Sequence, residues 1–216
     1  MKMKMLSMAA AVIMAVTCLT GCSNGIKKDT VIQTAKEYGM VEQDTFEKTL
    51  VNRNRGYNVF CVSKDEEEAD YIREAFMHVG QGEDFGIKET IWCTESKINH
   101  SKIKNEVLGQ TDEMLTTILV MTTKDAQSAK KLYEENAEWI ALHNGVTGEK
   151  GGVTYSINYT AFTTTTGSEA EDFYGVYLSG NTVIWINALT TVDNIDDCTE
   201  FFCEKLGLVS PLTLRK

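Results

Sequence analysis

Three times along this chain an apolar extended run gives way to a Ser, Thr or acidic cluster and then to a segment with apolar residues three and four apart. Each reads as a strand followed by a capped amphipathic helix. A chain built this way must bury both strand faces and helix stripes, which excludes all-helical and all-strand folds. In the first unit, residues 57–63 (YNVFCVS) form the strand, and Lys64, Asp65 and Glu66 to Glu68 open a helix carrying Ala69, Ile72, Phe76 and Val79 on one face. In the second, residues 115–122 (LTTILVMT) precede Thr123 as N-cap and a helix burying Ala129, Leu132, Tyr133, Asn136 or Ala137, and Ile140. The third runs from residues 183–189 (VIWINAL) through Thr190, Thr191 and Asp193 into a helix carrying Ile195, Cys198, Phe202 and Leu206. Offsets of 60 and 69 align Ala69 with Ala129 and Cys198, and Ile72 with Leu132 and Phe201. Shared strand-to-helix chemistry accounts for the match as well as duplication does.

The remainder reads mostly as sheet. Residues 86–94 (GIKETIWCT) predict a strand, and residues 153–161 (VTYSINYTA) alternate, with Val153, Tyr155 and Ile157 on one side and Thr154, Ser156 and Asn158 on a wet side. Ser179, Gly180 and Asn181 separate two strand-like runs as a hairpin turn. Residues 95–110 read as a loop, and the glycines between 145 and 152 as a connection leaving a helix. Ahead of these, residues 30–38 form a short helix ended by Gly39, and Asp44 with Glu47 suggests a capping box. The order strand, helix, strand, strand, helix, strand predicts an α+β domain of ferredoxin-like βαββαβ order. Its sheet is expected to be two-layer and mostly antiparallel, with helices on one face and a C-terminal hairpin and helix added. A doubly wound parallel sheet is the alternative. A single proline, Pro211, and the lack of a linker make residues 30–216 one domain.

Ahead of that domain, Lys2 and Lys4 precede an apolar stretch, residues 6–19 (LSMAAAVIMAVTCL), too short to cross about 30 Å of hydrocarbon and suited to a signal peptide. Leu19, Thr20, Gly21 and Cys22 follow, and this arrangement resembles the lipobox of bacterial lipoproteins. The resemblance implies cleavage after residue 21, acylation of Cys22, and attachment to the lipid bilayer on its extracytoplasmic face. Two acyl chains suffice for stable anchoring. Residues 22–29 then form the lipidated cysteine and a short linker, which at about 3.5 Å per residue reaches roughly 25 Å.

Loss of Lys2 and Lys4 takes the net charge from −10 to −12. Such a domain is repelled by phosphate backbones, so nucleic acid is excluded as a partner.

Four cysteines remain after the signal and Cys22: Cys61, Cys93, Cys198 and Cys203. Export favours disulfides. Cys198 and Cys203 on one helix stand about 140° apart and cannot join each other. Any bridge must tie the last helix to a strand, with buried free thiols as the other outcome.

His78, His100 and His143 are too scattered for a metal site, and none is expected. Asp193, Asp196 and Asp197 suit a helix N-terminus. No nucleophile elbow or phosphate-cradling loop occurs, and no cofactor or catalytic residue is assigned. Strand aromatics including Trp92, Trp139, Trp185, Tyr159, Tyr174 and Tyr177 are either core or a platform for glycan or peptide. The expected role is a non-catalytic binding or interaction module at the cell envelope, its partner an envelope protein, peptide or glycan. The alternative is an envelope enzyme acting on peptide or glycan through acids such as Asp193 or Glu200.

Overall fold

A computed structural model describes residues 26–77, 83–97, 114–163, 169–191 and 197–215. The elements run α1 (Lys28–Glu37), β1 (Val41–Gln43), α2 (Phe46–Arg53), β2 (Val59–Ser63), α3 (Glu66–Phe76), β3 (Ile87–Lys97) and β4 (Met114–Thr123). Then follow α4 (Ala126–Leu142), β5 (Val146–Lys150), β6 (Val153–Thr163), β7 (Glu169–Ser179), β8 (Thr182–Thr191) and α5 (Asp197–Leu206). A 3₁₀ turn at Pro211–Leu214 follows α5. The lipobox Leu19, Thr20, Gly21 and Cys22 lies outside the described residues, as do His78, Val79, His100, Asp193, Ile195 and Asp196.

All eight described strands form one mixed sheet in the order β1-β2-β3-β4-β8-β7-β6-β5, with β1 and β2 parallel and the other neighbours antiparallel. The domain is α+β, as expected, but the ferredoxin-like interleaving is absent. In that arrangement a helix crossover would leave a gap for another strand, whereas β2 pairs directly with β3 across the α3 connection.

Helices cover both faces, not one. Strand side chains alternate, so Cys61, Trp92, Leu119, Val176 and Trp185 project to a first face, where they pack with α2, α3 and α4. Phe60, Cys93, Ile118, Ile186 and Tyr177 project to a second face and pack with α1, α5 and Leu208. The result is three layers around a sheet buried on both sides. β2 and β4 run in the same direction, and the helices that follow them return over the same face. β8 runs against β4, and α5 lands on the other face. That difference separates the third strand-helix unit from the first two. Phe201 is half-buried while Phe202 is fully buried, so the alignment of Phe201 with Ile72 and Leu132 does not hold in space.

Local chemistry explains the helix starts. Asp65 caps α3 by accepting from the Glu68 amide at 2.9 Å, and Asp125, rather than Thr123, caps α4 by accepting from Ser128 at 2.7 Å. α2 is capped by Thr45 through the Lys48 amide, and Asp44 pairs with the Lys48 ammonium instead of completing a box with Glu47. α1 ends at Gly39, whose φ of +89° suits a residue without Cβ. It begins at Lys28, inside the stretch expected as linker. The predicted hairpin is present, with Ser179 opposite Thr182 and Gly180 at φ +62°.

Two strands depart from expectation. The stretch expected as a connection holds β5, which pairs with β6 after a turn through Gly151 and Gly152. Gly148 stands directly opposite Tyr155, whose ring lies so close that a Cβ on Gly148 would stand 2.5 Å from the hydroxyl oxygen. β3 runs through Glu95 and Ser96 to Lys97, into residues expected as loop. Among the described residues no helix is long and apolar enough to cross a membrane.

Candidate functional site

One end of the sheet gathers the start of β2, the end of β3, the start of β4, the end of β6, the start of β7 and the end of β8. α3 and α4 begin at the opposite end, after Ser63 and Thr123, and so finish toward this one. α2 finishes here too, because β2 starts here. The first face at this end carries an unusual row. Register places Thr94, Thr117, Asn187, Tyr174 and Asn158 side by side on five successive strands. One step outward, Asp172 stands between Thr160 and Leu189.

The expected wet side of β6 is wet only toward its ends, with Thr154 half-buried and Thr160 exposed. Ser156 and Asn158 are buried on the face that α4 covers. Their polarity suits a polar belt under a helix better than an exposed strand.

Asp172 and Tyr174 sit two apart on one strand and share a face, and Asn187 lies opposite Tyr174 on β8. The Tyr174 hydroxyl donates to Asp172 Oδ2 at 2.5 Å, and Asn187 Nδ2 donates to Oδ1 at 2.8 Å. Burial pushes the Asp172 carboxyl up to about 6, and the two hydrogen bonds pull the other way. Burial, with the adjacent carboxylate, also raises the Tyr174 phenol well above its ordinary value.

Further aromatic rings pack on Tyr174. Trp139 of α4 meets Tyr174 edge-on at 5.0 Å between ring centres, and Tyr174 lies 5.6 Å from Trp185. His143, at the C-cap of α4, stacks on Trp139 at 4.5 Å and places Nδ1 2.7 Å from the Trp139 carbonyl oxygen. Trp139, Tyr174, Asp172 and Asn187 are all half-buried, while Trp185 is fully buried. The arrangement offers half-open rings for stacking beside a carboxylate able to accept a hydrogen bond or take a proton near pH 6.

On the second face at the same end, Glu171 accepts from Tyr159 at 3.0 Å and pairs with Arg215, tying the C-terminal segment to the sheet. Tyr38 of α1 donates to Glu95 at 2.8 Å. Both read as tethers between layers.

The expected site residues are scattered. Glu200 is exposed on α5, on the face away from Asp172. Cys61, Cys93, Cys198 and Cys203 are buried, and no disulfide joins them. Cys61 faces the first layer and Cys198 and Cys203 the second, so the sheet separates them; Cys93 shares a core with the helix pair. Trp92, Trp185, Phe173 and Tyr177 are core residues, and Trp139, Tyr155, Tyr159 and Tyr174 retain partial exposure. Among the described residues no group of three or more His, Cys, Asp or Glu is placed to hold a metal ion. Asp172 is not evident in local sequence because it precedes the apolar run that begins at Phe173; the alternation of Asp172, Tyr174, Val176 and Leu178 is the available signal.

No protein-family model matches the chain, and no curated protein matches it. A crystal structure of the extracellular domain of PknH from Mycobacterium tuberculosis shows a partial likeness over 68% of this chain and 80% of that one, at a TM-score of 0.38 and 11% identity. A likeness that distant carries no argument about function.

Proposed function

We propose that this chain is an extracytoplasmic lipoprotein, anchored through acylated Cys22, whose domain binds a peptide or glycan at the Asp172 end of the first sheet face. The observation behind the binding role is the half-exposed ring pair Trp139 and Tyr174, with the Tyr174 hydroxyl bonded to the half-buried Asp172 carboxylate. Rings supply a stacking plane for a sugar or a side chain. Asp172 supplies a directional acceptor already held by two donors, so little ordering remains to be done on binding. The signal and lipobox pattern supports the anchor, and the acidic charge, −12 once Lys2 and Lys4 are removed, suits a domain held off anionic headgroups.

Two experiments test the two halves. Metabolic labelling with palmitate is expected to mark the wild type and not Cys22→Ala; equal labelling, or none, overturns the anchor. Titration with chito-oligosaccharides and with a short-peptide library, followed by tryptophan emission, is expected to saturate for one class and to weaken at least tenfold in Trp139→Ala. No saturation with either class, or an unchanged midpoint in the variant, overturns the site.

The second reading, an envelope enzyme acting on peptide or glycan, draws on the Asp172 carboxyl raised to about 6. It requires turnover of one of those probes that disappears in Asp172→Asn.

A further inference from the structure

Arg53 closes α2, and its guanidinium carbon lies 5.5 Å from the centre of the Phe76 ring and 5.8 Å from that of Trp92. Those rings are 5.0 Å apart, and Phe46 backs Trp92 at 4.8 Å. Arg53 Nε is withdrawn from solvent with no acceptor among the described residues, and the neighbouring Trp92 Nε1 is in the same condition. By contrast, Arg73 is paired with Asp70 and Glu74, and Arg215 with Glu171. In a chain of 31 acids and 21 lysines and arginines, a partly buried cation without a carboxylate partner among the described residues calls for a reason.

The aromatic cluster accounts for the position of Arg53 but not for its charge. Ring contact engages the face of a guanidinium, and the helix C-terminus offers a diffuse partial negative charge. Neither uses the in-plane N–H fork, whose geometry matches a planar oxyanion bidentately. Burial draws the guanidinium below its usual value, with no charged neighbour offsetting it. A methionine would fill the same space without that cost.

We propose that Arg53, seated on Phe76 and Trp92, is an anion-binding residue that receives the carboxylate of a ligand on the edge of its guanidinium. A carboxylate is favoured over a phosphate because a single charge is repelled less by a domain carrying −10. The site shares a sheet face with Asp172 but lies toward α2 and α3, with β4 and β8 between the strands of Trp92 and Asp172. At about 4.8 Å per strand those two strands stand roughly 14 Å apart, and Asp172 lies four residues further along its strand than Val176, which is in register with Trp92. The inference extends the binding reading without resting on it.

The test titrates the full mature protein with N-acetylglycine as the carboxylate probe, with inorganic phosphate and sodium chloride at matched ionic strength as separate arms. Melting temperature and tryptophan emission are read for wild type, Arg53→Met and Arg53→Lys. N-acetylglycine is expected to raise the wild-type melting temperature and change its emission saturably. The effect should be at least tenfold weaker in Arg53→Lys, which lacks the fork, and absent in Arg53→Met, which should melt at or above the unliganded wild type. An unsaturable wild-type response, or the same midpoint in wild type and Arg53→Lys, overturns the proposal even if Arg53→Met does not fold. Tighter saturation by phosphate overturns the choice of carboxylate. The Trp139-dependent titration with glycan or peptide is a separate readout, so either reading can fail alone.

Discussion

The hydroxyl of Tyr174 reaches back along its own strand to Oδ2 of Asp172 at 2.5 Å, so the carboxylate's second oxygen is left to Asn187 of β8. Burial of the Asp172 carboxyl, against the pull of both hydrogen bonds, makes stability depend on pH in an unusual direction. Because the folded carboxyl titrates at about 6 rather than 3.8, the folded state holds its proton more tightly than the unfolded chain does. This contribution is fully present below about pH 4, declines as pH rises, and is gone above about pH 6. The interval corresponds to on the order of 2 to 3 kcal/mol. Urea denaturation of wild type and Asp172→Asn between pH 4 and 7 should show that decline in wild type only; parallel curves would contradict it.

Gly175→Ala should destabilise the domain. Tyr177 lies across Gly175, where an added Cβ would stand 2.5 Å from the hydroxyl oxygen and 2.8 Å from Cε2. Tyr177 cannot give way easily, since it is fully buried and donates to the Val209 carbonyl at 2.8 Å. A loss of about 1 to 3 kcal/mol is expected by chemical denaturation. Tyr177→Phe, which keeps the ring and drops the hydrogen bond, should cost about 1 kcal/mol.

The four thiols should be silent until the protein opens. Cys61 and Cys93 sit on adjacent strands but face opposite layers, and burial pushes the Cys61 thiol up to about 11 and that of Cys93 further. Iodoacetamide at pH 8 should leave Cys61, Cys93, Cys198 and Cys203 unmodified in the native protein and alkylate all of them in guanidinium without reductant. A mass showing blocked cysteines in the denatured, unreduced sample would establish a disulfide.

Arg73 and Lys131 offer a contrast between buried and exposed charge. Arg73 is fully buried, bonded to Asp70 at 2.7 Å, and sits 5.0 Å over Phe85. Arg73→Ala should cost about 3 kcal/mol, because it opens a void and strands the acids around it. Lys131 pairs with Glu83 on the surface, where solvent screens the pair, and Lys131→Ala should cost far less than Arg73→Ala. Thermal or urea melts of the two variants measure the difference.

Much of the secondary structure was legible in local pattern. The helical stripe Ala129, Leu132, Tyr133, Asn136 and Ile140 is the buried stripe of α4, and the Gly180 hairpin forms where turn chemistry places it. β1 and β5 were missed because three and five mostly exposed residues carry no apolar alternation; pairing with β2 and β6 alone makes them strands.

By itself, the order of residues determined where helices begin, which strand positions alternate, and the lipobox pattern at Cys22, since each depends on neighbours close along the chain. Tertiary structure alone decided that helices occupy both faces and that Asp172, Tyr174, Asn187 and Trp139 meet. Those outcomes turn on strand direction and register, and a shift of one residue sends every side chain of a strand to the opposite face. Residues 139 and 172 are joined only through that pairing, so no periodicity near either could reveal the other.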